Sequence, residues 1–154
     1  VLHKLLRERS VDMALMTEPA RAERGQHLMK DQLVWVGAKG GDASLRRPLA
    51  VALGQIGCAF RALAIRALNA ANIEWRAICQ VGSMEPVFAT LEADLAVAPF
   101  LRRTVPDRLA ILADAALPKL PSYHINLKVA AGEASASALE LARHIREGFA
   151  RRYS

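Results

Sequence analysis

The stretch Ile78–Phe100, ICQVGSMEPVFATLEADLAVAPF, constrains the chain most, because an apolar run, an amphipathic run and a second apolar run follow with hardly a residue between them. Ile78-Cys79-Gln80-Val81 reads as a strand. After Gly82-Ser83, residues Met84, Val87, Phe88 and Leu91 fall at i, i+3, i+4 and i+7, one face of a helix. Leu95-Ala96-Val97-Ala98 then has the short, unbroken apolar character of a strand covered on both faces. Strand, helix and strand in such close succession predict a parallel crossover unit whose helix opens at the C-terminal edge of a sheet. Ser83 is the expected N-cap, its hydroxyl accepting from an orphan amide one turn on. Pro86 fits a first turn whose amides have no intrahelical partners.

The rest of the chain repeats that alternation. Val11–Met16 is an expected strand, broken by Thr17-Glu18-Pro19 into the polar loop TEPARAERGQ. Gln32–Gly37 is the next strand, ended by AKGGDAS, which its glycines mark as flexible. Pro48–Leu53 follows. Gly54 to Gly57 then turns the chain into a helix in which Phe60, Leu63, Ala64, Ala67, Leu68 and Ala71 keep the three-four spacing, with Asn72 as its stop. Beyond the crossover unit come a short strand at Arg108–Leu112, the loop DAALPKLPS and a strand over Tyr123–Ala130. A last helix begins near Ser137, where Ser137 and Glu140 make a capping box. Leu141, Ala142, Ile145 and Phe149 are its expected inner face, while Arg143, Arg146, Arg151 and Arg152 suit its C-terminal dipole end. Alternating strands and helices place the chain in the α/β class with largely parallel sheets. The breaks at Ala38–Ser44 and Ala113–Ser122 predict two lobes joined by two crossings, with a cleft between them. Lobe I takes residues 1–38 and 122–154, and lobe II takes residues 39–121.

Composition argues against several roles. The chain has 154 residues, 53% hydrophobic and 23% charged, which is ordinary for a globular protein. No apolar run approaches the roughly 18 residues that span a bilayer. VLHKLLRERS, broken by Lys4, Arg7, Glu8 and Arg9, has no apolar centre or small-residue cleavage site. A cytoplasmic location and no membrane partner are therefore expected. The missing initiator Met, and a pattern of Val1, Leu2, Leu5 and Leu6 that starts in mid-helix, lead us to expect that part of the first lobe precedes this sequence.

A net charge of +6 and a pI near 9.9 favour nucleic-acid contact. The arginines are nevertheless scattered as Arg46-Arg47, Arg61, Arg66, Arg102-Arg103 and Arg151-Arg152, without interleaved aromatics or a recognition-helix pattern, so they are assigned to solvated faces and helix ends. Cys58 and Cys79 lie far apart, and His3, His27, His124 and His144 share no metal spacing, so two free thiols, no metal and no cofactor are expected. No Ser-His-Asp order, phosphate loop or carboxylate pair stands out. Glu18, Glu85 and Asp94 read as loop or helix-surface charge, so no enzyme is expected and no catalytic residue is named.

The succession LLRERSVDMALMTEP, LVWVGAKGGDASLRRPLAVAL, GCAFRALAIRALNAANIEWRAICQVGSMEPVFATLEADLAVAPFL and LPKLPSYHINLKV resembles the effector-binding domain of LysR-type transcriptional regulators over almost the whole chain. Its most specific parts are Val11–Leu15 after a helix and the block from Val81-Gly82-Ser83 to Pro99. The resemblance implies a type 2 periplasmic-binding-protein-like fold, with two Rossmann-like lobes joined by two crossover strands and the N-terminal part of the first lobe missing. It implies a small effector bound between the lobes, a homodimer or homotetramer, and DNA binding through an N-terminal winged helix-turn-helix that this sequence lacks. A periplasmic-type solute-binding protein is the alternative with the same fold. One departure is clear: family members often carry a Gly-x-Gly-like stretch before the strand ending in Pro99, and Glu92–Val97 has no glycine.

Ligands of open α/β sheets sit beyond strand C-termini, where helix N-termini offer free amides and partial positive charge. Here those ends are Gly57–Arg61 and Gly82-Ser83-Met84, and a small anion, best a carboxylate, is the natural guest. By the resemblance the Thr17 hydroxyl faces the cleft, although it could equally cap a turn beside Pro19. Ser83 can combine capping with ligand contact. Arg61 could fork onto a carboxylate or be a solvated first-turn residue. Phe60 and Phe100 could be apolar walls; Phe60 heads the buried helix face, and Phe100, after Pro99, is the better wall. Cys58, at a helix start, reads as a small buried residue or as a redox-sensitive thiol.

Overall fold

The runs PLAVAL and LAVA are apolar at every position, and they form the centre of the fold. The structure, a computed structural model, describes residues 2–19, 25–54, 56, 58–113, 116–130, 132 and 135–153. Elements follow in the order α1 (Leu2–Arg7), β1 (Met13–Glu18), β2 (Gln26–Ala38), β3 (Leu49–Gly54), α2 (Ala59–Ala70), β4 (Trp75–Val81), α3 (Glu85–Glu92), β5 (Ala98–Leu101), β6 (Leu109–Ile111), β7 (Ser122–Val129) and α4 (Ala136–Tyr153). The chain divides into two compact units, Val1–Asp31 with Ser122–Ser154, and Gln32–Pro121. It therefore passes from one to the other inside β2 and returns at the start of β7, where the sequence placed breaks after residues 38 and 121.

In the second unit β3 and β4 run parallel, from Leu49 opposite Trp75 to Gly54 opposite Val81, with an irregularity between Val51 and Ala52. Val97 lies along the other side of β3, its carbonyl accepting from Ala52 N at 2.9 Å and its N–H donating to Ala50 O at 3.0 Å. The strand continues as β5, antiparallel to β2, while β6 takes the next stretch of β2. Leu49, Val51, Leu53 and Val97 are fully buried, as strands covered on both faces require. One core layer packs Val34, Val36, Ala50, Ala52, Ala98 and Phe100 against Val87 and Leu91 of α3. The crossover unit read from Ile78–Phe100 is present, but the expectation of largely parallel sheets is corrected. Helices join β3 to β4 and β4 to Val97; the other described pairings lack such a crossover and are antiparallel.

The first unit pairs β1 with β7, antiparallel, from Met13 opposite Val129 to Glu18 opposite His124. Leu6, Ala14 and Met16 form one core cluster, with Val11 and Ala130 packed alongside, and Tyr123 and Leu127 of β7 are also buried. Thr17 and Glu18 belong to β1 and Gln26 opens β2, so the expected loop is shorter at both ends; its residues 20–24 lie outside the described residues. Along α4 the buried side chains are Ala138 and Ala142, whereas Leu141, expected inside, is 52% exposed. Ala142, Ile145 and Phe149 keep the inner side, so Leu141 alone falls off the expected face, and the helix starts earlier than expected. Ser135 Oγ accepts from Ala138 N at 3.1 Å, so Ser135 is the cap and Ser137 lies within the first turn.

Three helices stop alike. Arg9, Asn72 and Asp94 adopt left-handed φ of 53°, 53° and 52° just beyond α1, α2 and α3. Ser10, Ile73 and Leu95 then donate back to Leu5 O, Leu68 O and Thr90 O at 2.9, 3.0 and 3.1 Å. These are Schellman stops built on non-glycine residues. The stop expected at Asn72 is among them.

Candidate functional site

Register brings the sequence-predicted residues of the second unit to one edge. Gly54 lies opposite Val81, so the connections leaving β3 and β4 emerge side by side at the strands' C-terminal ends. Val97 bridges Val51 in parallel, which brings Pro99 and Phe100, two and three residues on, toward the same edge. Cys58, Phe60 and Arg61 enter α2 there, Gly82, Ser83 and Met84 precede α3, and β5 ends there. Thr17 stands in the other unit, on β1 opposite Ile125.

Each residue meets a definite environment. Cys58 is the N-cap of α2, half-buried, with no side-chain capping bond; Gly57 lies outside the described residues. A Cβ at Gly54 would stand 3.1 Å from the Cys58 Sγ, so glycine at the strand end makes room for the thiol. Arg61 is neither solvent-extended nor free: its Nη1 donates to Gly54 O at 3.3 Å, folding the guanidinium over the end of β3. Phe60 is half-buried on α2.

The α3 entrance departs from expectation. Its N-cap is Met84, Glu85 opens the helix, and Phe88 N donates to Met84 O at 2.9 Å. Pro86 sits in the first turn as predicted. Ser83 is displaced one position outside the cap and makes no capping bond, so the expected capping role is corrected; it is exposed, with Gly82 and Met84. The expectation of a ligand wall at Phe100 gives way to a core role, because it is 7% exposed and stacks on Phe88 at 5.9 Å. Pro99 is half-buried, opposite Trp35 in the β2–β5 ladder.

Electrostatics separate the two helix ends. The first turn of α2 holds no acidic residue, whereas Glu85 occupies the first turn of α3 and offsets the positive end of its dipole. The opposite edge of the unit is closed by a clasp. Asp94 Oδ2 and Oδ1 accept from Asp42 N and Ala43 N, each at 3.1 Å. Arg46 donates to Asp94 O and Oδ2, each at 2.7 Å, and to Asp42 Oδ1. A Cβ at Gly41 would overlap the Asp94 carboxylate. AKGGDAS, expected to be flexible, is thereby held by a residue that the sequence reading assigned to surface charge.

The first unit has its own polar cluster. Glu18 accepts from Lys128 Nζ at 2.8 Å and Asn126 Nδ2 at 2.7 Å, with His3 Nε2 at 3.1 Å. Burial raises the Glu18 pKa, but these hydrogen bonds and the Lys128 charge outweigh it and hold the carboxyl below its usual range. His124 Nδ1 and His27 Nε2 are 3.0 Å apart, a pairing that sequence spacing did not reveal. Among the described residues no grouping of three or more His, Cys, Asp or Glu could hold a metal ion. None of the described helices is long and apolar enough to cross a membrane.

Strand order and helix placement define an α/β domain of the class that offers ligands the ends of its strands. The family described as LysR substrate binding domain matches residues 1–150, and the chain belongs to that family. The chain is 30% identical over 142 residues to the HTH-type transcriptional regulator DgdR of Burkholderia cepacia, covering 92% of this chain and 48% of that protein, so it spans about half the relative's length. The bromide-bound regulatory domain of HypT from Salmonella typhimurium matches with a TM-score of 0.75 at 18% identity, over 97% of this chain and 78% of that one. The CcmR regulatory domain of Synechocystis PCC6803, in complex with 2-PG, matches with a TM-score of 0.70 at 12% identity, over 96% and 78%. These likenesses bear out the expected family and its periplasmic-binding-protein-like fold.

Proposed function

We propose that this chain is the effector-sensing part of a LysR-type transcriptional regulator and that it receives a small organic anion, best a carboxylate, at the shared edge of β3, β4 and β5. The observation that carries the reading is the pairing of Gly54 with Val81, which sets the N-terminal turns of α2 and α3 beside each other. Free first-turn amides and a positive dipole end suit negative charge. The α2 end is the principal subsite, since Arg61 lies in its first turn and no carboxylate does. Ser83, exposed and free of capping, supplies a hydroxyl, and Met84 an apolar contact. Bromide, bound by one structural relative, is an anion, and 2-PG is a small ligand of another.

In the whole regulator, effector binding biases a homodimer or homotetramer whose DNA contacts come from a helix-turn-helix segment, as the name of the DgdR relative suggests. The chain's own part is recognition and not catalysis.

A charge placed at the α2 cap tests the subsite. Cys58→Asp supplies a good N-cap, so the fold is retained, but its carboxylate competes with the ligand. A thermal-shift and calorimetric screen of small carboxylates, each against its neutral amide, should find saturable binding by an acid. Cys58→Ser should keep that affinity and Cys58→Asp should weaken it at least about tenfold, about 1.4 kcal/mol. Equal binding of the amides, or unchanged affinity in Cys58→Asp, would overturn the assignment.

A further inference from the structure

Side chains alternate along β2. Val34 and Val36 enter the core layer beneath α3, which sends Leu33 and Trp35 to the other face. That face is strapped by the segment running to Pro121. Trp35 Nε1 donates to Pro118 O at 2.9 Å, Leu33 N to Pro121 O at 3.1 Å, and the Gln32 side-chain amide to Leu120 O. From the other side Leu112 N donates to Trp35 O at 2.9 Å. Between strap and strand lies a cavity of about 830 Å³, entirely within the second unit.

We propose that this cavity is a second ligand site, for a carboxylate carrying an apolar chain or ring. Leu33, Trp35, Leu117 and Leu120 line it and are at most 8% exposed, so its walls are fixed parts of the core. The indole N–H is already bonded to Pro118, leaving the ring as apolar surface. Among the described residues the charged side chains of the lining are Arg102 and Lys119, both exposed, and no described Asp or Glu joins them. Among the described residues neither cation has an ion-pair or side-chain hydrogen-bond partner. An apolar pocket of this size with a few polar groups has the anatomy of a small-molecule site. A guanidinium fork and an ammonium at an otherwise apolar wall select an amphipathic anion over a cation or a neutral hydrocarbon. None of the nine residues expected from sequence to bind effector lines this cavity, so its lining is distinct from that of the strand-end edge, although Arg102 directly follows the end of β5.

The two tryptophans make the test direct, because Trp75→Phe leaves Trp35 as the sole indole. Trp75 contributes one hydrogen bond, to Asn69 Oδ1, which the chain can lose without disturbing β2. In that background 8-bromooctanoate should quench Trp35 fluorescence saturably, and 8-bromooctan-1-ol should bind at least about tenfold more weakly. Replacing both Arg102 and Lys119 by Ala should raise the apparent Kd for the carboxylate about tenfold while leaving the melting temperature unchanged, since both side chains are exposed. Cys58→Asp should leave the quenching curve unaltered. Linear, non-saturable quenching would overturn the proposal, as would equal affinity for the alcohol or indifference to the double substitution. Loss of quenching in Cys58→Asp would instead assign the probe to the strand-end edge and also overturn it.

Discussion

Asp94 occupies the left-handed region normally given to glycine. The carboxylate explains its presence, since it binds the amides of Asp42 and Ala43 and the guanidinium of Arg46. Burial raises its pKa, but those backbone hydrogen bonds and the Arg46 charge outweigh burial and hold it below the ordinary aspartate range. A group whose folded-state pKa is depressed contributes stability above the unfolded-state pKa, roughly pH 4, and loses it as pH falls through the folded value. Asp94→Asn should therefore flatten the fall in urea midpoint below about pH 4. Asp94→Gly should lose the clasp but keep the turn, leaving Asp94→Ala the less stable of the two by about 1 kcal/mol, measured by urea denaturation. Sequence reading took Asp94 for surface charge because its partners lie 48 to 52 residues away, beyond any local pattern.

Among the elements, helix existence was legible and helix entry was not. The three-four spacing located α2, α3 and α4, but serine was assigned as a cap one or two positions wrongly in two of them. At α4 two serines compete, and Ser135 wins by reaching Ala138 N. Ser135→Ala should cost about 1 kcal/mol in thermal or urea unfolding, whereas Ser137→Ala should stay within about 0.5 kcal/mol. At α3 the first intrahelical bond runs to Met84 O, which leaves Ser83 outside the cap. In the proposed site this leaves an uncapped, exposed hydroxyl for a ligand to meet. Strand direction is not legible for a different reason: pairing depends on which segments return along β2, and periodicity does not carry that information.

For the whole molecule, the two units have cores of different depth. In the second, Leu49, Val51, Leu53, Leu68, Leu91 and Val97 are fully buried on two sides of one parallel pair. In the first, Leu127 is the fully buried large apolar side chain, Leu6, Ala14, Met16 and Tyr123 are nearly so, and α4 adds two buried alanines. Amide hydrogen exchange should accordingly be slowest in β3, β4 and Val97 and faster in α1, β1 and α4, read by mass spectrometry of peptic fragments. Uniform protection across both units would contradict that ranking.

The sequence by itself determined the α/β class, the crossover unit at Ile78–Phe100, the α2 stop at Asn72 and the family, because each rests on local periodicity or on an ordered succession of motifs. Only the tertiary structure decided that Gly54 and Val81 end side by side, that Phe100 belongs to the core, that Arg61 folds onto a strand-end carbonyl, and that Arg102 and Lys119 share an apolar cavity with Trp35. The physical reason is range. Helix spacing and strand alternation are written within a few residues, whereas register, burial and the meeting of distant charges exist only once the strands have paired.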